Sequence, residues 1–450
     1  MSESAAAQSK LNIRYWVVKL RKAIRSLSES FWFTPLVMII ASIVSAYLLP
    51  TISSTSIDSF FSSSRLAVSD KDAAMQIVQG IASAVITITS IAFSMTIVAL
   101  VMASNQFGPR LLKNFMQNKM TQFALGIFTS TFVFCLMVQS QIKTESSTVT
   151  VVHPQLSVFI SIILALMCVM VLIVFIHHVA TSIRADTVVK NTAYSLMLDM
   201  QKLKAQSERV GMFPNLLSQS QLKSEAHITS DCDGYIQAIE YQYVTDLAMK
   251  YDGLIVMEAR AGDYIVQGAK VASLHSNAPL PKKISIDEAL VVGEERTSLQ
   301  DPLFGINQLV EMAIRALSPS LDDPFTACNC IDRLASALNT FSPHDLPQPL
   351  ITVNNKPAVL TSDPDYRELF DGAFTQIRQS CYAHPFVLSH LLDTFAMMAQ
   401  ANNNAKHVQY AIKPHFTSIQ EHVSDGKAGF SSQDQRSYES RESKLEERLK

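Results

Sequence analysis

The residues best suited to chemistry in this sequence form one long line and a few isolated pairs. Gln76, Gln79, Ser83, Thr87, Ser90 and Ser94 follow one another at steps of three or four, which places them on one face of a helix. Amides and hydroxyls on one face can replace part of an ion's hydration shell, so these are candidate pore-lining residues. The competing reading is packing, because Ser and Thr bond back to their own helix and Gly80 with Ala84 is a small-x-x-x-small pair. No acid or base interrupts the line, which argues against proton-coupled transport. His177 and His178 are candidate pH-sensing residues, since imidazole titrates near neutrality; the plainer role is a place at the headgroup boundary. Asp301, Asp323 and Asp363 each precede a proline, the pattern of a structural helix cap with Pro at the first helical position. Asp322 beside Asp323 would hold a cation only with a third ligand from elsewhere, a weaker reading than the cap. Cys328 and Cys330 are two apart and point to different helix faces, a poor metal pair. No H-E-x-x-H, P-loop, G-x-S-x-G or paired-Cys zinc pattern is present, so no catalytic residue, metal or cofactor is expected, nor an enzyme.

Those residues need elements to hold them. Only 17% of the 450 residues are charged, as expected when part of a chain lies in lipid. Nothing is charged between Glu29 and Asp58, or between Asp72 and Arg110. Two more apolar runs follow, at 121–142 and 156–177. The expected fold class is therefore membrane α-helical, with four transmembrane helices at about 33–50, 76–103, 121–142 and 156–177 inside a domain spanning 31–178. The second run exceeds the length a span needs and should project beyond the bilayer.

Lys and Arg set the orientation. Lys10, Arg14, Lys19, Arg21, Lys22 and Arg25 precede the first run; Arg110, Lys113 and Lys119 lie between the second and third; Arg184 and Lys190 follow the fourth. Each of these segments belongs in the cytoplasm, with the N-terminus and the C-terminal domain. Ile13, Trp16, Leu20, Ile24 and Leu27 recur at helical spacing, so residues 1–30 read as a basic interfacial helix and an uncleaved anchor. The net charge of −2 argues against nucleic acid as a partner; the expected partners are the lipid bilayer and further copies of the chain in a homo-oligomer. Cys135 and Cys168 fall in apolar runs and the other thiols in the cytoplasmic part, so no disulfide framework is expected.

The cytoplasmic half reads as α+β. A helical connector covers 179–225. Short alternating stretches punctuated by Asp233-Gly234, Asp252-Gly253 and Gly262-Asp263 predict a small β barrel or sandwich over 226–286. The phrase GDYIVQGAKV resembles the hairpin of biotinyl/lipoyl-type barrels, yet no acceptor lysine stands in the expected context. A mainly helical subdomain follows at 287–423, with a hairpin at ITVNNKPAVL, and 424–450 reads as a solvated charged helix or tail.

SIAFSMTIVALVMASNQFGPRLLKNFM, FTSTFVFCLM, VLIVFIHHVATSI and RTSLQDPLFGINQLVEMAIRALSPSLDDPFTACNCIDRLASAL resemble an uncharacterised family of bacterial predicted membrane proteins, domain of unknown function 2254. The resemblance covers nearly the whole chain and implies a bacterial inner-membrane protein, with no agreed activity or catalytic residues to transfer. Where that family tends to read Asn-Asp-Pro, this chain has Asp322-Asp323-Pro324, which keeps the cap. The function expected is a homo-oligomeric channel or pore for small ions or solutes with a cytoplasmic regulatory domain. The alternative is a membrane-anchored sensor or scaffold.

Overall fold

The computed structural model describes residues 31–52, 71–108, 118–143, 155–205, 224–281, 284–342, 345–346, 349–353, 356–401, 405–425 and 430–449. The expected interfacial helix at 1–30 and the connecting loops that carry most of the orientation signal lie outside them. The chain divides into two compact units between Arg184 and Ala185.

The first unit contains α1 (Phe33–Ile52), α2 (Lys71–Phe107), α3 (Lys119–Lys143) and α4 (Gln155–Ser182). Three of them, α2, α3 and α4, are long and apolar enough to cross a membrane; α1 is a shorter apolar helix over Phe33–Leu49. The helix α3 is the hub, packing against α1, α2 and α4. Its apolar window is 67% buried, against 22% in α2 and 17% in α4. That explains why α3 tolerates Gln122, Ser130 and Thr131, all buried: protein, not lipid, surrounds them. The Thr34 hydroxyl donates to Gln122 Oε1 at 2.9 Å, and Gln141 Nε2 donates to the Ala46 carbonyl at 3.0 Å, so α1 is tied to α3 near both ends. Between them Gly126 admits α1, since an added Cβ would lie 2.6 Å from Met38 Sδ and 3.3 Å from Pro35 Cα. On the other side Cys168 Sγ meets Thr131 Oγ1 at 3.4 Å, and the Phe128 and Phe175 rings pack edge to face.

The second unit opens with α5 (Ala185–Ala205), which packs on α7 (Pro302–Ala316) and α8 (Pro324–Asn339) through Val188, Val189, Ala193, Leu196 and Met200. Leu196 fits over Gly305, where a Cβ would sit 3.1 Å from its Cδ1. Of the connector expected at 179–225, the first residues complete α4 in the first unit, residues 185–205 are built into this unit as α5, and 206–223 lie outside the described residues.

Eight strands follow the alternating stretches: β1 (Ser224–Thr229), β2 (Gly234–Ile239), β3 (Gly253–Met257), β4 (Tyr264–Ile265), β5 (Lys270–Ser276), β6 (Leu290–Gly293), β7 (Leu350–Val353) and β8 (Lys356–Leu360). They form two open sheets, β1-β5-β3-β8-β7 and β4-β2-β6, rather than a closed barrel. One apolar core serves both, with Ile228, Ile255 and Val359 from the larger sheet and Ile236, Ile265 and Leu290 from the smaller; Val244 and Ala248 of α6 (Tyr241–Lys250) complete it. The β region also reaches past residue 286. The β7–β8 hairpin joins through a parallel pairing of Ile255 with Val359, a contact that no local pattern announces.

The remaining helices are α9 (Tyr366–Cys381), α10 (Pro385–Ala401), α11 (Lys406–Ser424) and α12 (Ser432–Leu449). The charged C-terminal segment was expected in solvent. Instead α12 packs on α10, burying Tyr438, Leu445 and Leu449 on one stripe, and Arg441 Nε reaches Asp393 at 2.7 Å.

Candidate functional site

The line on α2 lies where the other helices leave the surface open. Ala74, Val78, Ala82, Val85, Thr89, Ala92, Ala99 and Ala103 recur at steps of three, four or seven and are buried. Gln76, Gln79, Ser83, Thr87, Ser90 and Ser94 are all exposed on the opposite face. At 100° per residue these six cluster within about 40° of a single line. The hydroxyls are satisfied along the helix: Thr87 Oγ1 donates to the Ser83 carbonyl at 3.0 Å and Ser90 Oγ to the Ile86 carbonyl at 2.9 Å. Their second lone pairs remain able to accept from water or a neighbour. Gly80 flanks the line, and a Cβ there would meet nothing within 4 Å.

His177 and His178 lie in the last turns of α4. His177 is exposed and His178 half-buried, with Ser182 Oγ 3.3 Å from His178 Nε2 and 2.7 Å from the His178 carbonyl.

The three aspartates come apart. Asp323 caps α8, accepting from the Thr326 amide at 3.0 Å and from its hydroxyl at 2.6 Å, with Pro324 at the first helical position. Asp301 occupies the corresponding position of α7 but gives its carboxylate to Arg296, whose Nη2 donates at 3.0 Å and whose Nε also donates. Burial pushes the Asp301 carboxyl above its usual range, a shift opposed first by Arg296 and then by the Leu303 and Phe304 amides at the start of α7. Asp363 does not cap α9; Asp365 does, accepting from the Glu368 amide at 2.7 Å. Asp365 and Glu368 have the spacing of a capping box, whereas the Asp363 carboxylate accepts from Thr361 Oγ1 at 2.9 Å and Tyr241 at 3.4 Å.

Around Asp301 the structure gathers an ionic cluster that sequence reading passed over. Arg260 clasps Glu368 with both terminal nitrogens, its Nη1 at 2.9 Å from Oε2, and its backbone amide donates to Asp263 at 3.0 Å. Gly262 (φ +96°) is pressed against Asp301, where a Cβ would fall 2.5 Å from Oδ2. Gln300 mimics a strand beside β2, its Oε1 accepting from the Ile239 amide at 2.8 Å and its Nε2 donating to the Ile239 carbonyl at 3.2 Å. The cluster fastens the sheets to the helices, and its pairs Arg260–Glu368 and Gln300–Ile239 are too far apart in sequence for spacing to show them. The run RTSLQD, with Arg296 and Asp301 inside it, was the one visible signal.

Comparison with known proteins agrees with the membrane character. The chain is 26% identical over 329 residues to uncharacterized proteins of Mycobacterium bovis and Mycobacterium tuberculosis, a match covering 71% of this chain. It spans 62% of the length of those curated relatives. No solved structure matches. The model of a family described as predicted membrane protein, domain of unknown function 2254, matches residues 28–397, and the chain belongs to that family.

Proposed function

We propose that the protein is a homo-oligomeric channel of a bacterial inner membrane, in which α2 of each copy lines a path for small ions or solutes. The observation that carries this reading is the polar line from Gln76 to Ser94 on the uncovered face of α2. In hydrocarbon a row of amides and hydroxyls is unfavourable, and such faces turn to protein or to water. Among the described residues this face meets neither α3 nor α4, and the proposal takes further copies as the source of cover. Open space at Gly80 allows a neighbouring helix to approach. In this proposal α1, tied to α3 at Gln122 and Gln141, is the fourth span, both termini lie in the cytoplasm, and the second unit regulates the path.

The test uses the full-length chain with single cysteines at Ser83, Thr87, Ser90 and Ser94 in a background lacking native thiols. Reaction with small water-soluble thiol reagents, and a detergent-corrected mass of several chains, are the expected results. A single-chain mass, or cysteines that never react, would overturn the reading. A second reading, a membrane-anchored scaffold, draws on Phe325 and Phe386. These rings meet at a 60° tilt with centroids 5.6 Å apart at the starts of α8 and α10, yet stay 74% and 55% exposed. Exposed aromatics of this kind suit a protein partner.

A further inference from the structure

The polar line on α2 does not run the full length of the helix. Continued at the same helical phase, it passes from Ser94 to Ile97 and Val101 and then to Asn105. Ile97 is 59% and Val101 54% exposed, and Asn105 is exposed as well, so all three lie on the uncovered face. The line is therefore polar, then aliphatic for about one turn, then polar again. Flanking side chains deepen the interruption. Beside the polar stretch the flank is mixed, with Gly80 and Ala84 next to Ile86 and Ile91, which are 41% and 50% exposed, whereas beside Ile97 and Val101 stand only Val98 and Met102, 56% and 45% exposed.

We infer that Ile97 and Val101 form an apolar belt that closes the path lined by α2, a gate that works by excluding water. The inference rests on the pore reading above. A face turned wholly to lipid would be aliphatic throughout, and a face serving only helix contact has no reason to be divided in this way. Around a narrow water-filled path, a ring of branched aliphatic side chains expels water and so blocks ions without a plug. Ser83, Thr87 and Ser90 would keep the remainder wet. The segment that follows α2 carries Arg110 and Lys113, with Lys119 at the start of α3, so Lys/Arg orientation puts the belt at the cytoplasmic end.

The experiment reconstitutes the full-length wild type, Val101→Ser and Ile97→Ser in vesicles and measures resting potassium and chloride flux. The same substitution at Leu166, a 64% exposed residue of α4, serves as control. Val101→Ser and Ile97→Ser should raise resting flux at least ~10-fold, with oligomeric mass and melting temperature unchanged. Leu166→Ser should not raise it. A wild type that passes no ions, beside a conducting Val101→Ser, is the closed gate itself. Equal flux in all four proteins, while cysteines at Ser83 to Ser94 react with soluble reagents, overturns the belt and leaves the pore standing. Unreactive cysteines along the line overturn the pore and the belt together.

Discussion

The helices α2 and α3 carry similar polar side chains in the same unit and use them in opposite ways. In α3, Gln122 and Gln141 bond across to α1 and Thr131 meets Cys168 of α4. In α2, Thr87 and Ser90 bond back to their own turns and face outward. The polarity of α3 is consumed in holding one chain together, while that of α2 is left over once the chain has folded. Residue type alone does not separate these cases, because both helices read as apolar runs sprinkled with Gln, Ser and Thr. What separates them is where the bond partner lies. The second unit repeats the contrast: Asp323 is satisfied within its own helix, Asp301 by Arg296 outside it.

The largest effect that would test this contrast is at the two membrane glycines. Gly126→Leu on α3 would drive a side chain into Met38 and the backbone at Pro35, and should cost about 1–3 kcal/mol or prevent folding outright. Gly80→Leu on α2 meets open space in one chain, so the protomer should fold normally and only association between copies should weaken. Thermal melting and detergent-corrected mass separate the two. If Gly80→Leu lowers melting as much as Gly126→Leu in a monomeric preparation, the two helices do not differ in the way described.

A middling effect is expected at the aspartates. Asp301→Ala removes the partner of a half-buried guanidinium and should cost about 1.5–3 kcal/mol. Asp323→Ala removes a local cap and should cost about 0.5–2 kcal/mol, while Asp323→Asn should be nearly neutral. Denaturant melts of the full chain would measure all three. A functional loss in a stable Asp323→Asn would mean that the carboxylate does more than cap.

The same distinction explains what could be read from the residues. The face of α2, the cap at Asp323 and the hairpin at 350–360 depend on neighbours three or four positions away or on a turn, and local spacing reveals them. Gly234 and Gly262 indeed take positive φ, at +139° and +96°, as turn residues should. The clasp of Arg260 on Glu368 and the pairing of β3 with β8 depend on distant partners, and the diversion of Asp301 to Arg296, five residues back, follows no helical or turn spacing. Asp363 failed as a cap because Asp365, two residues on, offers a better-placed carboxylate and faces Glu368. The burial of α12 went unseen because Tyr438, Leu445 and Leu449 are sparse among charges, a stripe too thin to stand out in such a polar helix.

The smallest effect compares two histidines, each bonded to an aspartate on a neighbouring helix. His390 Nε2 lies 2.8 Å from Asp332, and that bond holds its imidazole above the ordinary value of 6.5, against a smaller opposing effect of burial. His415 Nε2 lies at the same 2.8 Å from Asp371, but its side chain is 4% exposed, and burial pushes it below 6.5 despite the partner. The two should therefore contribute to stability with opposite slopes. The folded value of His390 is raised, so its contribution is complete below 6.5 and is lost as the pH rises through that folded value. The folded value of His415 is depressed, so its contribution is present above 6.5 and is lost as the pH falls through that lower value. Asp332→Asn should open a melting gap of about 0.2–1 kcal/mol from wild type near pH 5, closing towards pH 8. His415→Gln should behave differently: it leaves nothing to protonate, so its loss relative to wild type should shrink as the solution is acidified. A gap for Asp332→Asn that widens with rising pH would reverse the assignment and show that the salt bridge is not what holds His390 above its ordinary value.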